Sequence, residues 1–327
     1  MIRTVSLFSG CGGADLGLLG GFSYLGKKYA KNPVEIIHAS DNDSKAIDTY
    51  NLNFRFKATV EDIRNLRLSR VNVDMIVGGF PCQSFSSVNP NKDPKDERGQ
   101  LYLEMLRLIK ESSPKFVIAE NVQGFYRLHG GRYFEDYRAR LEAMGYNVFH
   151  SLVTAADFGV PQLRKRLFIF GIRKDQTVDF KFPASMFGPD SKTKLPYVAL
   201  GAVIQNVENV PEKYYFSKRA VEGVRRAKPN MKRALAQDLS KPSLTITSHL
   251  AKVSLNSRDP VLLVRPETES YRRFTPSEAA AIQSFPENFA FAGSEGDAYR
   301  QIGNAIPPVL MWHLTRSLIS QIDSESN

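Results

Sequence analysis

The mainly apolar run Val73-Asp74-Met75-Ile76-Val77 stops at Gly78-Gly79 and continues as Phe80-Pro81-Cys82-Gln83-Ser84-Phe85-Ser86-Ser87. A run of strand length that ends in two glycines predicts a strand followed by a tight loop. In open α/β sheets the carboxyl edge of the strands is where ligands and catalytic groups gather. This stretch therefore constrains both the fold class and the place to look for chemistry. Pro81 fixes its own φ and biases Phe80 toward an extended conformation, so the approach to Cys82 is stiff. A lone cysteine is often a small buried hydrophobe. Here the glycines, the proline and the polar tail Gln83-Ser84-Phe85-Ser86 argue for a loop thiol that acts as a nucleophile. Its ordinary pKa of about 8.5 leaves a few per cent thiolate near neutrality, and loop amides or a following helix N-terminus raise that fraction.

The 327 residues allow a large core and two domains. A net charge of +10 suggests a polyanionic partner. The only cysteines are Cys11 and Cys82, which is no disulfide framework and suits a reducing cytoplasm. Five scattered histidines, without CxxC or HxxxH, predict no zinc site. No apolar run reaches the ~18 residues needed to span a membrane. Met1-Ile2-Arg3-Thr4-Val5 runs directly into a strand pattern, so no signal peptide is expected.

Along the chain, Thr4-Val5-Ser6-Leu7-Phe8 reads as a buried strand, then Ser9-Gly10-Cys11-Gly12-Gly13 as a glycine-rich turn, then Ala14-Asp15-Leu16-Gly17-Leu18 as a helix. Strand, glycine turn, helix suits a nucleotide-type ligand. The spacing Phe-x-Gly-x-Gly is not GxGxxG, however, and a plain tight turn is an equal reading. Residues 34–40 form the second predicted strand, ending at Asp41-Asn42-Asp43, and a helix follows over 44–50. Asp43 is expected to cap that helix and Asp41 to grip a ligand hydroxyl. Val60-Glu61-Asp62-Ile63 repeats the theme after a third short strand, with Asp62 placed to accept from an adenine amino group.

Beyond Cys82, the polar stretch 89–99 with Pro90 and Pro94 predicts a loop that closes over substrate. Residues 101–109 predict a mostly buried helix. Lys115-Phe116-Val117-Ile118-Ala119 predicts a strand ending in Glu120-Asn121-Val122. A thiol and a carboxylate past two strand ends form a better active-site signal than either alone. An amphipathic helix over 132–144 and a strand over 146–153 follow. Gln162-Leu163-Arg164-Lys165-Arg166 then leads into a strand over 167–172. Arg164 and Arg166 alternate, so both are expected on one side of an extended segment. A solvated basic face is the plain reading, but the buried-looking flanks favour an anion or base contact.

From residue 174 to about 271 the α/β rhythm stops. Lys213, Lys218, Arg219, Arg225, Arg226, Lys228, Lys232 and Arg233 face only Glu222, among Tyr214, Tyr215 and Phe216. Basic residues interleaved with aromatics suit a nucleic-acid surface. Thr245-Ile246-Thr247-Ser248 and Pro260-Val261-Leu262-Leu263-Val264 look like short strands. Thr275, Pro276 and Glu278 predict a capping box that opens a helix. Residues 299–308 read as a turn before a last helix over 309–322.

Six blocks in this order resemble the DNA cytosine-5 methyltransferases over nearly the whole chain: Phe8-x-Gly10-x-Gly12, Gly79-Phe80-Pro81-Cys82-Gln83, Glu120-Asn121-Val122, Gln162-x-Arg164-x-Arg166, Arg273 to Glu278 with Gln283-x-Phe285-Pro286, and Gln301-x-Gly303-Asn304-Ala305-Ile306-Pro307. The resemblance implies a Rossmann-like S-adenosylmethionine-dependent methyltransferase domain, a mixed and mostly parallel sheet flanked by helices. A smaller, irregular, strand-containing target-recognition domain goes with it. We divide the chain as 1–180 plus 287–327 for catalysis and 181–286 for DNA recognition. The resemblance further implies that Cys82 adds to cytosine C6, Glu120 serves N3, Arg166 holds O2 and Arg164 positions Glu120 or the backbone. It places the donor S-adenosyl-L-methionine, product S-adenosyl-L-homocysteine, against Phe8, Gly10, Gly12, Asp41, Asn42, Asp62, Ile63, Leu101 and Asn304, with no metal. Two departures stand out. Asp41 replaces the family's usual glutamate, and Asn42 stands where an apolar or aromatic residue often covers the adenine.

The implied partner is double-stranded DNA, with Ser86, Ser87, Arg225, Arg226, Thr245 and Thr247 expected near it and the target base flipped out. By analogy the enzyme is a cytoplasmic, nucleoid-associated prokaryotic or phage monomer, the protective half of a restriction-modification pair whose endonuclease shares only the recognition sequence. Two other readings compete. An RNA methyltransferase of the same fold is disfavoured because the insert lacks that branch's Cys-Phe-Thr signature. A catalytically dead DNA-binding protein is disfavoured by the intact Cys82, Glu120, Arg164 and Arg166. The later blocks also remove a nicotinamide dehydrogenase.

Overall fold

Leu7, Asp41, Gly78 and Val122 each end a strand on the same edge of one seven-stranded sheet in the computed structural model. The structure describes residues 1–69, 71–81, 101–204, 210–226, 236–252 and 260–325. The first half of the chain forms β1 (Ile2–Leu7), α1 (Gly13–Leu19), β2 (Phe22–Tyr24), β3 (Lys27–Tyr29), β4 (Val34–Asp41), α2 (Ser44–Asn53), β5 (Thr59–Val60), β6 (Met75–Gly78), α3 (Leu101–Ser112), β7 (Phe116–Val122), α4 (Gln123–Arg127), α5 (Arg132–Ala143), β8 (Tyr146–Thr154) and β9 (Lys165–Arg173).

The strand order is β5-β4-β1-β6-β7-β9-β8. The first five strands are mutually parallel, whereas β9 runs antiparallel to both of its neighbours. The chain builds outward from β1 to one side and then returns to build to the other. That makes the β1–β6 junction the switch point, where the crossovers diverge and leave a crevice. Because β9 is reversed, its beginning lies at the edge where the parallel strands end. Arg166 is paired with Val122 and Phe168 with Glu120.

Both faces of the sheet are buried at β1, β6, β7 and β9, which is why these strands read as near-continuous apolar runs. Met75, Val77, Phe116, Ile118, Phe168 and Phe170 enter one core, and the alternate residues Ile76, Val117, Ala119, Leu167 and Ile169 enter the other. α3 and α5 cover the second face through Met105, Leu106, Ile109, Phe134, Tyr137 and Leu141.

The second half contributes α6 (Lys218–Arg226), an antiparallel pair of β10 (Leu262–Arg265) and β11 (Ser270–Arg272), α7 (Pro276–Ile282), α8 (Glu295–Asn304) and α9 (Pro308–Glu325). Residues of α7, α8 and α9 pack into the first core, among them Ile282, Tyr299, Ile302, Leu310 and Leu314. The expected capping box is present: Thr275 Oγ1 accepts from Glu278 N at 3.2 Å, and Glu278 Oε2 accepts from Thr275 N at 2.8 Å. The same carboxylate receives two bonds of 2.7 Å from the fully buried Arg272.

The structure departs from the sequence expectations in four places. β2 and β3 form a hairpin that the sequence reading lacks. Its two-residue turn is Leu25-Gly26, both at positive φ, as a type I′ turn requires, but without the usual Asn-Gly signal. Residues 245–248 are not a strand, because their backbone partners are side chains: Ile246 N donates to Gln162 Oε1 and Ile246 O accepts from Arg164. Residues 299–304 are helical instead of a turn, since Gly303 sits inside α8. Finally, β7 continues through Glu120-Asn121-Val122, so Glu120 is held in a strand and not in the loop beyond it.

Candidate active site

The crevice at the switch point has two sides. On the first, the loop after β1 is set by backbone geometry. Phe8 adopts a left-handed φ of 54°, an uncommon conformation for a non-glycine residue. Ser9 Oγ lies within bonding distance of Ser6 O and Ser40 O and ties the loop to the end of β4. Gly12 caps α1 at φ 91°, and a Cβ there would stand 2.3 Å from the Phe54 ring, so only glycine fits.

Asp41 holds this loop from the neighbouring strand. Its Oδ2 accepts from Gly10 N at 2.9 Å and its Oδ1 from Asp43 N at 2.9 Å. Burial raises its pKa, against the pull of those amides. Each oxygen retains acceptor capacity after one amide bond. Asp43 meanwhile caps α2 as the sequence suggested, accepting from Lys45 N and Ala46 N. Leu7, Phe8, Ser40, Asp41, Asn42, Glu61, Asp62, Ile63, Arg64, Pro81 and Leu101 line one cavity. Arg64 grips Asp62 through Nη2–Oδ2 at 2.7 Å and Nε–Oδ1 at 3.0 Å, and its bonds hold that carboxyl below its usual range. Asn304 is exposed at the end of α8 and lies outside the cavity lining.

On the second side, the segment leaving β6 is clamped. Phe80 is buried against Phe125, Tyr137 and Tyr102, with ring centroids 5.2, 5.5 and 6.2 Å away. Its carbonyl accepts from Asn121 Nδ2 at 3.1 Å. Pro81, the residue before Cys82, closes the cavity described above. Cys82, Ser86, Ser87 and the loop to residue 99 lie outside the described residues.

Glu120 stands directly beside this segment. A Cβ on Gly79 would be 3.2 Å from Glu120 Oε2, so the absent side chain leaves room for the carboxylate. Arg166 Nε lies 3.2 Å from Glu120 Oε1, and both side chains are largely buried. Burial pushes the Glu120 pKa up, while Arg166 and Arg164 pull it down. Arg164 is almost fully buried and donates through Nη1 to Ile246 O and Gly303 O, each at 3.1 Å. Burial and the like charge of Arg166 depress its pKa well below the ordinary value, against Glu120. The expected Glu120, Arg164 and Arg166 thus form one cluster, and antiparallel β9 is what assembles it.

The expected DNA-facing residues are dispersed. Thr245 and Thr247 are half-buried on the segment that meets Arg164. Arg226 is exposed on α6, 3.8 Å from Glu222, and the Arg225 side chain lies outside the described ones. Three residues of the site were missed by sequence reasoning. Asn121 clamps Phe80. Gln162 and Gln283, both fully buried, bond to each other at 2.5 Å. Both glutamines sit inside the recognised blocks, which was the available signal. Among the described residues, no group of three or more His, Cys, Asp or Glu is arranged to hold a metal. No described helix is long and apolar enough to cross a membrane.

Residues 2–320 match the sequence profile of the C-5 cytosine-specific DNA methylases. The chain is 31% identical over 335 residues to the type II methyltransferase M.FnuDI of Fusobacterium nucleatum, covering 97% of this chain and 94% of that protein. It is 31% identical over 333 residues to the type II methyltransferase M.NgoFVII of Neisseria gonorrhoeae, covering 97% and 86%. Among solved structures, the S. pombe Dnmt2 methyltransferase superposes with a TM-score of 0.75 at 21% identity over the full length of both chains. A prophage-encoded DNA modification methyltransferase from E. coli superposes with a TM-score of 0.72 at 21% identity, covering 99% and 100%.

Proposed function

This chain belongs to the C-5 cytosine-specific DNA methylase family and is a DNA cytosine-5 methyltransferase, and from that premise we propose how its residues divide the reaction. Cys82, as thiolate, adds to C6 of a cytosine flipped out of a specific short duplex sequence. The addition breaks the C5–C6 double bond and places electron density on the ring. Glu120 meets that charge at N3 as a proton donor or strong hydrogen bond, for which its burial-raised pKa is suited. Arg166, paired with Glu120, holds O2, and Arg164 holds the backbone behind them. S-adenosyl-L-methionine, held in the cavity around Asp41, would supply the electrophilic methyl group for C5, with S-adenosyl-L-homocysteine as the by-product. Loss of the C5 proton and expulsion of Cys82 restore the aromatic ring and the free enzyme.

The cavity residues fit such a donor. Asp41 turns an amide-anchored carboxylate toward it for hydroxyls, Asp62 offers an acceptor, and Phe8, Ile63 and Leu101 give apolar walls. Gly10 has open space where a Cβ would stand and so allows close backbone approach, whereas Gly12 gives that space to the Phe54 ring and shapes the loop. The observation that carries this reading is the position of Pro81. One residue from Cys82, it lines the cavity that holds Asp41, while Gly79 abuts Glu120. These two contacts support a reading in which the donor cavity and the Glu120 carboxylate both lie beside the segment that leads to Cys82.

We assign catalysis to 1–180 plus 287–327 and DNA recognition to 181–286, with Ser86, Ser87, Arg225, Arg226, Thr245 and Thr247 at the DNA. Relatives named type II methyltransferases support a restriction-modification role; to that we add, by analogy, a cytoplasmic monomer that protects host DNA beside an endonuclease of the same recognition sequence. The test is bisulfite sequencing of plasmid DNA from methylation-deficient cells expressing the protein or Cys82→Ser. Protected cytosines in one short context, absent with Cys82→Ser, are expected. An unprotected plasmid despite folded protein would overturn the proposal.

A further inference from the structure

We propose that Gln162 is a positioning residue that couples engagement of the DNA-recognition segment to the Glu120–Arg166 pair; the inference rests on the function proposed above. Gln162 is fully buried, where polar groups persist only when bonded. Its Oε1 accepts from Ile246 N at 2.8 Å, and its Nε2 donates to Gln283 Oε1 at 2.5 Å. Gln283 Nε2 donates in turn to Ile302 O at 3.0 Å and Ala305 O at 2.6 Å, at the end of α8. One side chain therefore bridges three stretches of chain that are far apart in sequence.

The bridge is not a lone bond. Leu163 N donates to Ser243 O at 2.8 Å and Ser243 N to Pro161 O at 2.9 Å, so the segment from 243 is zipped to the approach of β9. Arg164 Nη1 takes Ile246 O. A Cβ on Gly303 would lie 2.2 Å from Thr247 C and 2.3 Å from Ser248 N, so α8 touches the same segment with no slack. The result is an extended segment carrying Thr245 and Thr247, held on one side by Gln162 and Arg164. Four residues after Gln162, on the same short run of chain, Arg166 meets Glu120.

The directions of these bonds matter. In an extended run, alternate side chains share a side. Gln162 and Arg164 point inward and are buried, whereas Leu163 and Lys165 are exposed. A displacement of Thr245 or Thr247 by DNA thus reaches Arg166 through two side chains that cannot swing away. Buried, directional contacts transmit such shifts because the interior is close-packed. Arg164 Nε is buried without a partner, so the hydrogen bonds of this arginine run through Nη1, which ties Ile246 O to Gly303 O. A correct sequence seats the segment and settles Arg166 against the target base. A wrong one leaves the pair misplaced.

The experiment compares methylation rates on two duplexes, one carrying the context protected by the wild type and one differing by a single base pair. Gln162→Met keeps the side-chain volume and removes both bonds. It is expected to lower kcat on the first duplex about ten- to a hundredfold, as ångström-scale misplacement does. The rate on the altered duplex changes less, so the ratio between the two collapses. Binding of S-adenosyl-L-homocysteine, measured by calorimetry, stays within about twofold of wild type, because Gln162 lies outside that cavity. Gln162→Glu retains the acceptor for Ile246 N and is expected to recover most of the ratio. An unchanged ratio in Gln162→Met, or an equal loss on both duplexes, overturns the inference. Should Gln162→Met fail to bind S-adenosyl-L-homocysteine, Gln162→Glu decides alone. Ionisation of its new carboxyl at higher pH removes the donor to Gln283, so the ratio must fall with pH relative to wild type, and a flat ratio overturns the proposal. Wild-type protein that protects no cytosine defeats the proposed function itself, a different result from an active wild type with selective variants.

Discussion

Replacing Asp15 by asparagine should make this protein more stable at neutral pH. Asp15 lies in the first turn of α1, fully buried beneath the glycine loop. Its Oδ1 accepts from Ser6 Oγ at 2.6 Å, and Oδ2 has no hydrogen-bond partner. The Tyr50 hydroxyl pulls on the carboxylate electrostatically but makes no hydrogen bond with it. Burial pushes the carboxyl from 3.8 up to about 6, against the pull of Ser6 and Tyr50. A raised pKa in the folded state means that folding favours the protonated acid. That contribution is complete below 3.8, declines as pH rises, and is gone above about 6. At about 1.4 kcal/mol per tenfold change in proton affinity, the loss is about 3 kcal/mol. Asparagine stays neutral and keeps an acceptor for Ser6. Allowing about 1 kcal/mol for the weaker neutral bond leaves a gain of about 2 kcal/mol at neutral pH. An unfolding entropy of about 2 cal/mol/K per residue, over 327 residues, converts this to a rise of about 3 °C in Tm. Thermal melts of both proteins across acid to neutral pH would read it. The wild-type Tm should sag relative to Asp15→Asn as pH climbs through about 4 to 6. A variant that melts lower at neutral pH, with a gap independent of pH, would show that the ionised carboxylate is stabilised where it sits.

Three further outcomes are expected. Gly303→Ala forces a Cβ into the backbone of Thr247 and Ser248, which should cost about 1–3 kcal/mol in denaturant melts and depress methylation beyond the loss of stability. Arg272→Met leaves the mostly buried Glu278 carboxylate without its guanidinium and should destabilise by about 3–5 kcal/mol, whereas pairing it with Glu278→Gln should restore part of that; equal stability of the single and double variants would contradict the account. Glu120→Gln should lower kcat about 10²- to 10⁴-fold. Because burial raises the Glu120 pKa, the protonated form is lost as pH climbs through it, so the wild-type kcat should fall on the alkaline side, a limb that Glu120→Gln should lack.

The sheet was legible where its strands carry the information themselves. β1, β6, β7 and β9 are runs of largely buried residues, and both faces of the sheet at these strands demand apolar side chains. The capping box at Thr275 was equally legible, because its partners are three residues apart. What failed were the cases decided by distant partners. Thr245-Ile246-Thr247 has the β-branched pattern of a strand, yet Gln162 and Arg164 hold its backbone where a strand would. Gly303 read as a turn residue, but its lack of a side chain serves close approach to Thr247.

The same distinction runs through the site. The kinds of residue were legible: acids at strand ends, glycines in the first loop, alternating arginines. Which acid meets which arginine was not, because it depends on β9 running against β7. With β9 parallel, Arg166 would begin its strand at the far edge of the sheet, and Glu120 would be buried without a cation. A buried carboxylate left so would neutralise and lose any graded control of its proton. The reversed strand therefore puts Arg166 beside Glu120, so that burial and a cation oppose one another at the carboxyl that the proposed chemistry needs. It also delivers Gln162 and Arg164 to the backbone of Ile246 just before β9 begins. One topological choice, invisible in any single motif, brings the segment from 243 to 248 and the Glu120–Arg166 pair onto the same short run of chain.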